Sequence, residues 1–221
     1  MTANALLRLR MDKFLHEVTV YPVSCQPLCN GRTDLEWLDG VLDGGARIVQ
    51  LRDKESDDRT LHAKAEIFRR RTEEAGALFI VNNRLDIALA TGADGIHLGN
   101  GDLPAETARR LAPEMIIGVS ANNEEQAATA KERGASYFNI GPTFATETKQ
   151  GLTAFLGPEA IPRFAGRSDL PFTVMGGIKF HHLPQLIAAG ARRIAVVTAL
   201  TRAHDIAAET ARWVAAIKEA E

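Results

Sequence analysis

One short phrase recurs along the chain: a helix-patterned stretch, then Gly-Ala, then a brief apolar run rich in β-formers. It stands at Gly45-Ala46, Gly76-Ala77, Gly92-Ala93, Gly134-Ala135 and Gly190-Ala191. A glycine just past a helix can take the left-handed conformation that ends it. The phrase therefore predicts helix, stop and strand in repeated order, as in a βα array. Apolar runs at 17–23, 48–52, 78–81, 95–97, 115–119, 137–140, 172–175 and 194–197 supply the strands. Helical periodicity lies between them, as at 35–43, 60–75, 124–133 and 183–189. Such alternation makes parallel sheets with crossover helices, and eight strands are the number that closes a barrel. The expectation is a single α/β domain, a (β/α)8 TIM barrel over 16–221. A doubly wound open sheet is the alternative.

Segment 1–15 is not a secretory signal, because Arg8, Arg10 and Lys13 interrupt Leu6, Leu7, Leu9, Met11 and Phe14. It reads as an amphipathic helical segment packing on the barrel, with partner binding as the other use. No apolar run approaches the ~20 residues that span a bilayer, so a cytoplasmic protein with no membrane partner is expected. The formal net charge of −2 gives no general attraction for nucleic acid, and any anion site must be local. Cys25 and Cys29 lack a second ligand pair at metal-site spacing and are expected as reduced thiols.

In this fold the chemistry sits at the C-terminal ends of the strands. The second strand closes with Gln50-Leu51-Arg52-Asp53-Lys54. Period-two alternation sends Val49 and Leu51 outward to the helices and Gln50, Arg52 and Lys54 into the mouth, where two cations and an amide suit a phosphate or pyrophosphate. A solvated loop after Leu51 is the plainer reading. The third strand runs into Asn82-Asn83, which can orient ligand oxygens or form an Asx turn. Asp102, after the fourth strand, can be a hard carboxylate for Mg²⁺ or a helix cap. His97 is expected as a core histidine before a catalyst.

The fifth strand brings Ser120 to the rim. The sixth opens a long loop holding Thr146, Thr148 and Lys149, suited to an anion or merely solvated. Gly176-Gly177 and Val197-Thr198 follow strands seven and eight, where barrels often hold phosphate on backbone N–H groups. The plainer reading of the two glycines is a turn. Adjacent His181 and His182 cannot chelate together from a helix and are expected as surface residues.

Taken in order, these segments resemble the thiamine phosphate synthase family and its thiazole tautomerase relatives, over residues from about Val18 to Ala216. The motifs are Leu28-Cys29-Asn30-Gly31-Arg32, Gln50-Leu51-Arg52-Asp53-Lys54, Asn82-Asn83-Arg84-Leu85-Asp86, Gly95-Ile96-His97-Leu98-Gly99, Gly141-Pro142 with Thr146-Glu147-Thr148-Lys149, and Gly176-Gly177-Ile178 with Val196-Val197-Thr198-Ala199.

The resemblance implies a Mg²⁺-assisted transferase that joins hydroxymethylpyrimidine diphosphate to thiazole phosphate, giving thiamine phosphate and pyrophosphate. It implies that Gln50, Arg52, Lys54, Asn82, Ser120 and Lys149 hold the pyrimidine diphosphate, with Arg52, Lys54, Ser120 and Lys149 as the catalytic set. Thr146, Thr148, Gly176, Gly177, Val197 and Thr198 would hold the thiazole phosphate, and Asp102 and Asn83 the metal. The family carries Asp where this chain has Asn83; the amide offers a carbonyl but no charge, so weaker Mg²⁺ binding is expected. Three alternatives remain: a thiazole tautomerase-like isomerase, a non-catalytic phosphate-ligand binder, or another phosphate-binding barrel. A homodimer is left open.

Overall fold

The computed structural model describes residues 2–146, 148 and 154–220. Eight parallel strands form one sheet: β1 (Val20–Pro22), β2 (Ile48–Leu51), β3 (Leu78–Asn82), β4 (Gly95–Leu98), β5 (Ile116–Ala121), β6 (Tyr137–Ile140), β7 (Phe172–Val174) and β8 (Ile194–Val196). Neighbours follow chain order from β2 to β8, and β8 pairs with β1. A parallel bridge between Val23 and Gln50, with Ser24 N–H donating to the Gln50 carbonyl at 2.9 Å, closes β1 on β2. The sheet is a (β/α)8 barrel.

The Gly-Ala phrase does what its chemistry requires. Gly45, Gly76, Gly92, Gly134 and Gly190 all have φ between +61° and +100°, the region where a Cβ is strained. Each releases the chain from a helical segment into the next strand. Expected and observed strand ends agree to within three residues throughout, and the sixth strand coincides at both ends. The first strand is the shortest of the expected runs relative to its reading, because pairing with β8 begins at Val20.

Period-two alternation divides the apolar residues into two clusters separated by the sheet. Outside, Val49, Leu51, Phe79 and Ile117 pack with Trp37 of α2 (Asp34–Asp43), Phe68 of α3 (Asp58–Glu74) and neighbouring helices. Inside lie Tyr21, Ile48, Ile80, Ile116 and Tyr137. Each large side chain sealed from water contributes roughly 1.5–3 kcal/mol, so both clusters are needed to hold the ring of strands. Helix α2 starts on a reciprocal cap: Thr33 accepts from Glu36 N–H, and Glu36 accepts from Thr33 N–H at 2.7 Å. Asp57 caps α3 by accepting from Thr60 N–H at 2.8 Å.

Before β1, helix α1 (Ala3–His16) packs against the inner cluster. Its Phe14 is fully buried, with its ring stacked on Tyr137 at 4.8 Å between centroids. Arg193 Nε donates to the Phe14 carbonyl, and Arg10 donates to both Asp94 and the Glu114 carbonyl. Cys25 and Cys29 are free and buried. Among the described residues no helix is long and apolar enough to cross a membrane.

Candidate active site

Several side chains singled out from sequence meet at the C-terminal mouth of the barrel. Gln50, 3% exposed, points inward while Val49 and Leu51 face the helices. Its Nε2 donates to Tyr21 Oη at 2.9 Å, and its Oε1 accepts from Asn82 Nδ2 at 2.9 Å. Arg52 N–H donates to Ser24 Oγ at 2.9 Å, and Arg52 Nη1 reaches Cys25 Sγ at 3.7 Å. The end of β2 is thus tied to the end of β1. Lys54 is exposed on the same loop.

Asp53, between these cations, is held from behind. Lys64 of α3 donates to both Asp53 and Asp34, with the three side chains only 14%, 7% and 1% exposed. Burial alone would raise the Asp53 carboxyl, but hydrogen bonds from Lys64 and Ser56 outweigh it and hold the group well below the usual carboxylate range. Burial would lower the Lys64 ammonium, and the two aspartates raise it instead. This triad fixes the loop carrying Arg52 and Lys54.

Asn83 adopts φ +50°, which asparagine tolerates better than most residues, and its Nδ2 lies 3.1 Å from Asp102 Oδ1. The other carboxylate oxygen accepts from Gly99 N–H at 2.7 Å. Asp102 is not a helix cap: the next helix, Ala105–Leu111, has Pro104 at its cap position. One carboxylate and one adjacent carboxamide fit Mg²⁺ in the mode where substrate phosphates complete the shell. Among the described residues no cluster of three His, Cys, Asp or Glu could bind a metal by itself.

His97 sits between Tyr137 Oη, 3.0 Å from Nδ1, and Ser120 Oγ, 3.2 Å from Nε2. Burial pushes its pKa down to about 4, so it is neutral at physiological pH.

On the opposite side of the mouth, the loop after β6 docks on the glycine pair after β7. Thr143 N–H donates to the Met175 carbonyl and Phe144 N–H to the Gly176 carbonyl, both at 2.9 Å. The fit leaves no room for side chains. A Cβ on Gly177 would lie 2.0 Å from the Ala145 carbonyl oxygen, and one on Gly176 2.6 Å from Pro142 Cα. Thr146 Oγ1 accepts from Thr148 N–H at 3.2 Å. Thr198 opens the short helix Thr198–Thr201 directly after Val197. Lys149 lies outside the described residues.

Four features escaped the sequence reading. Lys179 Nζ donates to Thr198 Oγ1 at 3.2 Å, adding a cation beside the glycine pair; its signal was the first basic residue after Gly177. Tyr21 and Tyr137, the only tyrosines in the chain, meet inside the barrel. Each stands on the inward register of its strand, and a buried hydroxyl needs a partner. The Lys64 triad joins residues distant in sequence and left no local sign.

His182 is the fourth, and a correction. It is no simple surface residue, since its ring stacks on Phe144 at 3.9 Å and its Nδ1 accepts from Lys179 N–H. The two histidines belong to a tight turn at Phe180–His182, not to a regular helix; His181 is exposed as expected, and helical spacing misjudged only His182.

The model of the family described as thiamine monophosphate synthase matches residues 20–200. The chain belongs to that family. Among curated members, the thiamine-phosphate synthase of Caldicellulosiruptor bescii is 39% identical over 195 residues, 88% of this chain and 89% of that one. The enzyme of the same name from Moorella thermoacetica is 42% identical over 194 residues, covering 87% and 92%. A solved thiamine phosphate pyrophosphorylase from Pyrococcus furiosus superposes with a TM-score of 0.86 at 30% identity, covering 96% and 98% of the two chains. This member of the thiamine monophosphate synthase family is a transferase.

Proposed function

We propose that this enzyme joins a pyrimidinylmethyl diphosphate to a thiazole monophosphate, releasing pyrophosphate and forming thiamine phosphate. The observation that carries the reading is that two different anion-suited surfaces share one rim. The ends of β2 to β5 present Arg52, Lys54, Asn82, Asp102 and Ser120, while the ends of β6 to β8 present Gly176, Gly177 and Thr198. The first suits a diphosphate that needs cations and hydroxyl donors. The second, with backbone approach made free by glycine, suits a monophosphate.

The chemistry asks for charge stabilisation more than for a strong base. As the C–O bond to the diphosphate breaks, negative charge builds on the departing pyrophosphate and positive charge on the pyrimidine methylene. Arg52 and Lys54 stabilise the former, and Lys149 belongs to the same proposed set. Mg²⁺, held by Asp102 and Asn83 with phosphate oxygens, would add Lewis-acid stabilisation of the leaving group. Gln50 and Asn82, locked to each other, orient the pyrimidine. Thr146, Thr148, Gly177, Val197 and Thr198 hold the thiazole phosphate so that the ring nitrogen faces the methylene, which is catalysis by positioning.

The test is incubation with both substrates and Mg²⁺, following thiamine phosphate and pyrophosphate together. Equal yields of the two are expected. Folded protein that binds both substrates and forms neither product would leave the non-catalytic binder. Acceleration of thiazole carboxylate tautomerisation instead would support the isomerase.

A further inference from the structure

A chain of hydrogen bonds crosses the barrel interior from one part of the mouth to another. Asn82 Nδ2 donates to Gln50 Oε1, and Gln50 Nε2 donates to Tyr21 Oη, each at 2.9 Å. Tyr21 Oη lies 3.1 Å from Tyr137 Oη, which lies 3.0 Å from His97 Nδ1. His97 Nε2 then lies 3.2 Å from Ser120 Oγ. Residues from β1, β2, β3, β4, β5 and β6 take part, so the chain links most of the ring.

We propose that this chain runs one way, fixing His97 as its neutral Nε2–H tautomer and turning the Ser120 hydroxyl proton outward to an anionic ligand oxygen. Each hydroxyl has a single proton, and that decides the direction. Tyr21 accepts from the Gln50 amide, so among the described residues its own proton goes to Tyr137. Tyr137, having accepted, donates to His97 Nδ1, which must then carry a lone pair. The remaining ring proton sits on Nε2 and is given to Ser120 Oγ. Ser120 therefore keeps its own proton for the mouth. Reversal would require the Asn82 and Gln50 amides to turn over together.

The surroundings are built for this chain. A Cβ on Gly118 would fall 2.1 Å from the Tyr137 ring, so β5 omits a side chain two residues before Ser120 to admit the tyrosine. Phe14 of α1 stacks on the same ring and excludes water from that side. In such an enclosure a missing donor is expensive, which keeps the order of the chain fixed. His97 is thereby a positioning residue acting through Ser120. The ligand assigned to Ser120, the diphosphate, rests on the proposed function above; the tautomer does not.

Two measurements on the full chain test it. With ¹⁵N-labelled histidine, long-range ¹H–¹⁵N correlation spectra report each ring's tautomer, and His97→Gln identifies the His97 signals by their loss. The Nε2–H pattern is expected, becoming mixed in Tyr137→Phe. An Nδ1–H or doubly protonated pattern overturns the relay whether or not the enzyme makes thiamine phosphate.

The second measurement is binding of inorganic pyrophosphate with Mg²⁺. Loss of a hydrogen bond to a charged ligand in Ser120→Ala should weaken it by roughly tenfold or more. Tyr137→Phe should weaken it by several-fold, and the double variant should be no weaker than Ser120→Ala alone. Independent, multiplying losses would overturn the coupling between Tyr137 and Ser120.

Discussion

Asn83 Nδ2 lies 3.1 Å from Asp102 Oδ1, so an amide and a carboxylate face each other where two carboxylates would repel without a cation. The pair is stable by itself and carries less charge for Mg²⁺. Asn83→Asp should reverse both properties. Aspartate also tolerates φ near +50°, so the backbone need not change. Mg²⁺ affinity in the presence of pyrophosphate should rise by about tenfold, equivalent to ~1.4 kcal/mol. The metal-free melting temperature should fall, and Mg²⁺ should restore it. Titration calorimetry and melting with and without Mg²⁺ read the two effects; no change in either would remove these residues from the metal site.

Gly177 has φ +61° and stands against the Ala145 carbonyl oxygen. In Gly177→Ala, left-handed strain of roughly 1–2 kcal/mol adds to a contact that neither backbone can absorb. A loss of ~2 kcal/mol or more in urea unfolding is expected, with a raised KM for the thiazole phosphate. Gly45→Ala makes the control, because a Cβ there meets nothing within 4 Å. It should show the strain without the KM effect.

Lys64→Met leaves Asp34 and Asp53 facing each other, nearly sealed from water. Removing one member of a buried ionic cluster costs about 3–5 kcal/mol. Denaturant unfolding should show a loss of that order. The loop carrying Arg52 and Lys54 should loosen as well, weakening pyrophosphate more than thiazole phosphate.

His97 titrates near 6.5 when unfolded and is pushed down to about 4 by burial. Between those values the unfolded chain binds the extra proton, so stability rises with pH through the window. The contribution is complete above about pH 6.5 and erodes as pH falls toward 4, by roughly 3 kcal/mol in all. His97→Gln should flatten that part of the stability–pH curve, measured by urea midpoints at half-unit steps. A parallel curve would refute the burial of a neutral histidine.

The barrel was legible because its signals are local. The Gly-Ala stops mark helix ends, and alternation at Val49, Gln50 and Leu51 tells the inside from the outside. Residues at strand ends could likewise be assigned to the mouth from order alone. What stayed hidden depends on contacts across the ring. Tyr21 and Tyr137 stand 116 residues apart and meet only after closure. Lys64 reaches Asp34 and Asp53 from another helix. His182 looked like a surface residue because its partner Phe144 comes from a different loop. Sequence order places a residue on a rim, but only closure shows what it touches.

A crystal grown with thiamine phosphate, pyrophosphate and Mg²⁺ reads out whether the two halves of the rim divide the labour. Pyrophosphate should lie within reach of Arg52, Lys54 and Ser120, with Mg²⁺ between it and Asp102. The monophosphate should rest on the Gly177 and Thr198 backbone, near Lys179. Both phosphate groups on the same half, or a metal bound away from Asp102, would contradict it.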